Sequence, residues 1–264
     1  MKISKDKKLC EEYIGKHPVI SISLKGINAA SYEAAFELTV KTIKGAVQKA
    51  GFLKMSDKLD EDEKKEYRAI LDENMSEATL FWSLKNLSEL LEKHYETKVI
   101  LLIDEYDVPL AKAFENGYYD KMVFLIRNLL EQTLKTNNSL KFAVMTGCMR
   151  ISKESIFTGL NNLKVLSITD ERFDEYFGFT DEDVKEMLRY YDREDHYEEM
   201  RNWYDGYRFG STDVYCPWDV LNHCDKIKEN AAAFPENYWV HTSSNEAVKK
   251  IIQMSGNITT KREI

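Results

Sequence analysis

The chain has 264 residues, 43% hydrophobic and 31% charged, with a formal net charge of -8 at pH 7. That size suits one large domain, or a core with a smaller appendage, and the apolar share is enough for a real core. The acidic balance gives no general attraction to DNA or to an anionic membrane. No apolar run approaches the roughly 20 residues of a bilayer span, and the charged first twenty residues hold no signal-peptide core, so the reading is cytoplasmic with no membrane partner.

Residues 1–16 are polar and charged, a short helix or ragged end. Val19-Ile20-Ser21-Ile22-Ser23-Leu24 alternates apolar and small polar residues, the pattern of a strand near a sheet edge. Gly26 and Asn28 break it. Ser31 is placed to cap a helix running to about Lys49, where Gly51 follows. Residues 54–75 are highly charged with a sparse apolar stripe (Leu59, Tyr67, Ile70, Leu71), an exposed helix or helix pair. Ser76 opens another helix, with Leu80, Leu84, Leu87, Leu90 and Leu91 on one face, ending near His94-Tyr95.

Lys98 to Pro109 reads K-V-I-L-L-I-D-E-Y-D-V-P. The unbroken apolar run Val99–Ile103 predicts a strand covered on both faces. It ends in Asp104, Glu105 and Asp107. Ligands of open α/β sheets bind beyond the carboxyl ends of the strands, and acids there can hold Mg²⁺ or polarise a water. The local reading is a Walker B strand, with Asp104 for the metal and Glu105 for the water; a buried strand followed by a solvated acidic turn is the plainer alternative.

Asn116-Gly117 is a turn signal, and Tyr118–Thr136 repeats Met122, Leu125, Ile126, Leu129, Leu130 and Leu134 at helical spacing. Lys141–Gly147 is the next buried strand, ending in Thr146. That hydroxyl lies beside the first acidic tip if the two strands are neighbours, where it can contact a γ-phosphate or a water, or simply close the strand end. Arg150 and Lys153 follow, each a surface cation or a phosphate contact. Leu163–Ile168 is predicted to be a further strand. The alternation of strands and helices argues for a parallel sheet wrapped by helices.

From Thr169 the chain is acidic, aromatic and mainly helical, with helices expected at 181–191, 195–204, 216–228 and 246–253. Residues 205–210 read as an aromatic-rich turn and Val214-Tyr215 as a short strand. The aromatics read as packing for a small core more readily than as stacking platforms for bases. Cys10, Cys148, Cys216 and Cys224 form no C-x-x-C pair and read as reduced thiols. Cys216, His223 and Cys224 lie close together but match no common zinc spacing.

A longer string of motifs carries a resemblance: V-I-L-L-I-D-E-Y-D-V-P, N-G-Y-Y-D, F-A-V-M-T-G, R-I-S-K-E-S-I-F-T-G-L-N-N-L, Y-F-G-F-T, W-Y-D-G-Y-R-F-G and Y-W-V-H-T-S-S-N, in that order. From Pro18 to Ile252 the chain resembles the predicted AAA-ATPase-like proteins of bacteria, P-loop NTPases related to archaeal and STAND-type ATPases. The resemblance implies an ASCE-type α/β core over residues 1–169, with a parallel sheet and helices on both faces, then a small helical subdomain over 170–264. It implies ATP and Mg²⁺ as ligands, Asp104 and Glu105 as the Walker B pair, and Thr146 and Arg150 on the sensor strand and its following loop. Full-length members often add a nuclease-like domain of the PD-(D/E)XK type.

One departure is severe. Members begin with a strand, an R-P-R-R-F-G-K-T-like phosphate loop and its helix, whereas no G-x-x-x-x-G-K-[ST] occurs here. Gly15-Lys16-His17 is the nearest fragment. That loop supplies backbone N–H groups and a lysine for the phosphates and a hydroxyl for Mg²⁺. The expectation is a chain cut at both ends that does not grip ATP tightly alone. Its sheet would lack a central strand between the 140–147 and 163–168 runs, and be distorted or filled by another segment. A non-catalytic module that engages an unknown protein partner is the alternative; a metal nuclease built on Asp104, Glu105 and Asp107 is weaker for want of an E-x-K partner, and nothing in the residues supports a nucleic-acid partner.

Overall fold

The computed structural model describes residues 2–148, 156–157, 160 and 163–239. The chain divides into two compact units at Leu163/Lys164. In the first unit, β1 (Val19–Ser23), β2 (Val99–Asp104) and β3 (Leu140–Met145) form a parallel sheet in the order β1-β2-β3. Ile22 pairs with Ile103, and Ile103 with Met145, so the carboxyl ends of all three strands lie side by side. β1 sits at the edge, as its alternation predicts, with Ile20 and Ile22 buried between exposed neighbours.

The connections are helical because their sequences cap and stripe correctly. α1 is Lys7–Tyr13. α2 (Tyr32–Gln48) starts where the Ser31 hydroxyl accepts from the Ala34 N–H, and α3 (Glu61–Ile70) starts at a reciprocal Asp60–Glu63 capping box. α4 (Glu77–Tyr95), capped by Ser76, buries the predicted stripe of Leu80, Leu84, Leu87, Leu90 and Leu91. α5 (Val108–Asn116) stops at Gly117 in the left-handed conformation, and α6 (Tyr119–Leu134) buries Met122, Leu125, Ile126, Leu129 and Leu130. These side chains join Ile20, Ile22, Leu101 and Ile103 in one core. At about 25 cal/mol per Å² of apolar surface, that burial is the main force holding the sheet against α2, α4 and α6.

The sheet's other face is more open than the apolar run of β2 predicts. Leu102, Phe142 and Val144 are exposed there, and α1 reaches that face by setting Tyr13 edge-on to Phe142, with ring centroids 6.1 Å apart. Residues 163–168 correct an expectation: they form no strand. Ser167 accepts from the Asp170 N–H through its carbonyl, and its own N–H and hydroxyl both bond the Asp170 carboxylate, so local bonds fold residues 167–170 at the segment's end into a turn. No described segment pairs with the outer edge of β3, so no filler strand is found there. The sheet's irregularity is a register shift at Val99/Ile100.

The second unit holds α7 (Asp181–Tyr190), α8 (Tyr197–Tyr204) and α9 (Pro217–Glu229), and also an antiparallel sheet in the order β4-β6-β5: β4 (Phe179–Thr180), β6 (Thr212–Tyr215) and β5 (Asp205–Phe209). The expected aromatic turn at 205–210 is thus mostly strand, and Gly210-Ser211 is the two-residue hairpin loop. Gly210 has φ 51°, and a Cβ there would lie 2.7 Å from the Asp170 carbonyl oxygen. Val184, Leu188, Met200, Tyr204, Tyr215, Val220, Cys224 and Ile227 form this unit's core. The helix expected at 246–253 lies outside the described residues. Among the described residues no helix is long and apolar enough to cross a membrane.

Asp181 ties α7 to its neighbours. Tyr197 and Tyr215 donate hydroxyls to its Oδ1 at 2.6 and 2.9 Å, and Lys185 pairs with Oδ2 at 2.6 Å. Burial pushes this carboxyl up, but the bonds from Lys185, Tyr197 and Tyr215 outweigh it and hold it below its ordinary value. A carboxyl depressed in the folded state contributes stability above the unfolded value of about 3.9, and that stability fades as pH falls through the folded value. Thermal melts between pH 7 and pH 2 should therefore show the second unit weakening below about pH 4, with a shallower acid limb in Asp181→Asn.

Candidate functional site

The tips of β1, β2 and β3 bring five polar side chains together. Asp104 ends β2 with its side chain exposed, and the Thr146 hydroxyl, one residue past β3, donates to its Oδ1 at 2.5 Å. The backbone repeats the link: Thr146 N–H donates to the Ile103 carbonyl at 2.9 Å, and Tyr106 N–H donates to the Thr146 carbonyl at 3.1 Å. Two sequence-predicted residues therefore meet because parallel strands in register end together.

Glu105 has φ 53°, a left-handed conformation in a residue with a Cβ. Such a residue costs on the order of 1 kcal/mol and persists only where its surroundings impose it. The turn ends β2 and leaves the Glu105 side chain partly exposed beside Asp104. Lys25, two residues past β1, brings its ammonium to 3.7 Å from Glu105 Oε1.

Asp107 is buried. It is 3% exposed, and its Oδ2 accepts the Cys148 N–H at 3.1 Å. It stands at the N-cap of α5 without capping it, since its carboxylate is turned to the loop after β3. Gly147 makes room for this: a Cβ there would lie 2.7 Å from Asp107 Oδ1 and 2.8 Å from Tyr106 Cε1. The Tyr106 ring packs edge-on against Phe157, centroids 5.4 Å apart. Asp107 is a brace for the loop, which removes the third open acid that the nuclease reading needed.

The field at the tip is negative. The Cys148 thiol is held above its ordinary value by burial first, then by the charges of Asp107, Glu105 and Asp104, with Lys25 opposing them. Oxygen donors in a negative field suit a hard divalent cation such as Mg²⁺. The donor set of Asp104 and Thr146 fits that ion, with Glu105 alongside. Arg150 and Lys153 lie outside the described residues.

The predicted AAA-ATPase family matches residues 2–157. The chain belongs to this family. A curated relative, the "Uncharacterized protein in vnfD 5'region" of Azotobacter chroococcum mcd 1, is 33% identical over 137 residues, which is 47% of this chain and 24% of that protein. The chain thus spans about a quarter of that relative's length. No solved structure matches.

In this AAA-ATPase-like chain the sequence pointed to Asp104, Glu105 and Thr146 and missed Lys25 and Gly147. Lys25 is the first charge after an edge strand, which is a signal only once β1 is known to lie beside β2. The need for glycine at 147 comes from Asp107 and Tyr106, some forty positions earlier. Gly147→Ala should destabilise the first unit by about 1–3 kcal/mol, because the added methyl meets a buried carboxylate. Urea unfolding would read this as a lower midpoint at unchanged slope; an unchanged midpoint would mean that the loop yields freely.

Proposed function

We propose that the tips of β2 and β3 are the metal-and-water half of an ATP-hydrolysing centre. The observation that carries this reading is the hydrogen bond joining Thr146 to Asp104 across adjacent strand ends, with Glu105 displayed beside it. Membership of the predicted AAA-ATPase family supports it.

In this reading Asp104 holds Mg²⁺, directly or through water, and the Thr146 hydroxyl fixes the carboxylate in one orientation. Bound Mg²⁺ would neutralise charge on the phosphate oxygens and orient the terminal phosphoryl group. Glu105 accepts a hydrogen bond from the attacking water and draws off its proton. Lys25 balances the Glu105 charge while the site is empty of substrate. The phosphate grip is the part these residues do not supply, since no glycine-rich phosphate loop occurs in the 264 residues. We infer that this chain alone binds ATP weakly.

Isothermal titration of Mg–ATP tests both parts. This chain should bind more weakly than about 100 μM, because the missing loop carries most phosphate contacts. A chain extended at its N-terminus with a family member's strand and phosphate loop should bind tightly and turn over. In that extended chain, Glu105→Gln should keep binding and lose about 10²–10⁴-fold in rate. Tight binding by the short chain, or full turnover by Glu105→Gln, would overturn the reading.

A second reading, a partner-binding module, is favoured by exposed aromatics in the second unit, where Trp203 and Phe234 pack edge-on at 5.7 Å and remain 47% and 73% exposed. A protein partner recovered equally well by wild type and by a Trp203→Asp, Phe234→Asp variant would remove that surface from consideration.

A further inference from the structure

Two histidines and a glutamate meet in the second unit. His196 immediately precedes α8, and Glu199 lies three residues later, so one helical turn stacks them on a common face. His223 comes from α9 and is fully buried. His196 Nδ1 lies 3.1 Å from Glu199 Oε1, and His223 Nε2 lies 3.1 Å from the same oxygen. The three ligand atoms all lie within 4.8 Å of one another.

These are the dimensions of a small transition-metal site. Zinc bonds imidazole nitrogen and carboxylate oxygen at about 2.0–2.2 Å, which sets tetrahedral edges of about 3.3–3.5 Å between ligands. The two 3.1 Å edges fall within a few tenths of an ångström of that range, and the remaining pair, the two histidine nitrogens, lies within 4.8 Å and must close as the ion binds. We propose that His196, Glu199 and His223 bind one Zn²⁺ ion, which ties the start of α8 to α9 and leaves a fourth position for water.

The other nitrogen of His196, Nε2, lies 4.0 Å from Asp195 Oδ2, too far for a direct hydrogen bond, and His223 Nδ1 is buried without a hydrogen-bond partner. Glu199 keeps 35% of its side chain exposed, an entry path for the ion. Neither Cys216 nor Cys224 belongs to this cluster of ligand atoms. The rival arrangement is a metal-free one, in which both rings donate to Glu199.

Zinc titration of the whole chain by calorimetry, with metal analysis after dialysis, separates the two. The proposal expects one Zn²⁺ per chain and a melting temperature that rises with Zn²⁺ and returns on adding chelator. His196→Gln and Glu199→Gln should each weaken binding by at least about 10-fold, the scale on which even outer-shell changes act. These two positions are less buried than His223, so the variants should fold. Cys216→Ser should leave binding unchanged, and the Co²⁺-substituted chain should show tetrahedral ligand-field bands without thiolate charge transfer. Absence of stoichiometric Zn²⁺, equal binding by both Gln variants, or loss in Cys216→Ser would overturn the proposal and leave the metal-free triad.

Discussion

One hydrogen bond organises the first unit's chemistry: the Thr146 hydroxyl on the Asp104 carboxylate. It exists because β2 and β3 run parallel with Ile103 opposite Met145, so both chains leave the sheet at the same level. Charge-assisted bonds of this kind are stronger than neutral ones and fix the acceptor's orientation. A lone carboxylate at a strand tip would rotate and be solvated on all sides. Held by Thr146, Asp104 presents its second oxygen in a defined direction.

The neighbouring loops can be understood as support for that arrangement. Glu105 takes a left-handed turn, which frees its side chain and sends the chain into Tyr106 and Asp107. Asp107 then turns inward to hold the Cys148 N–H, and Gly147 allows the two loops to touch. Four acidic or hydroxyl-bearing side chains in a short stretch thus play distinct parts, decided by which of them the backbone turns to solvent. Burial first, and then the charges of Asp107, Glu105 and Asp104, hold the Cys148 thiol above its ordinary value. Lys25 offsets part of that charge from β1.

Much of this was legible in the sequence, for physical reasons. The stripes of α4 and α6 bury nearly all the residues that their periodicities mark, since burial is what those patterns encode, whereas the β2 run leaves Leu102 exposed. Asp104 and Thr146 could be paired in advance because parallel topology juxtaposes strand ends. Other features were hidden. Leu163–Ile168 has a strand's apolar content, but Asp170 gives the Ser167 backbone a local partner, and a turn results. Asp205–Phe209 lacks a buried alternation, so its strand came into view only through β6; the Gly210-Ser211 pair was the overlooked hairpin signal. His196 and His223 are 27 positions apart, and no local spacing announces their meeting at Glu199.

The central claim is that Asp104, oriented by Thr146, is a divalent-cation ligand. Mn²⁺ can stand in for Mg²⁺ at oxygen sites, and its unpaired electrons broaden nearby amide signals in an NMR titration of the whole chain. Signals of Leu24–Gly26, Asp104–Asp107 and Thr146–Cys148 should broaden first, and Asp104→Asn should abolish that pattern. Broadening that begins instead at the acidic start of α3, or that survives Asp104→Asn, would contradict it.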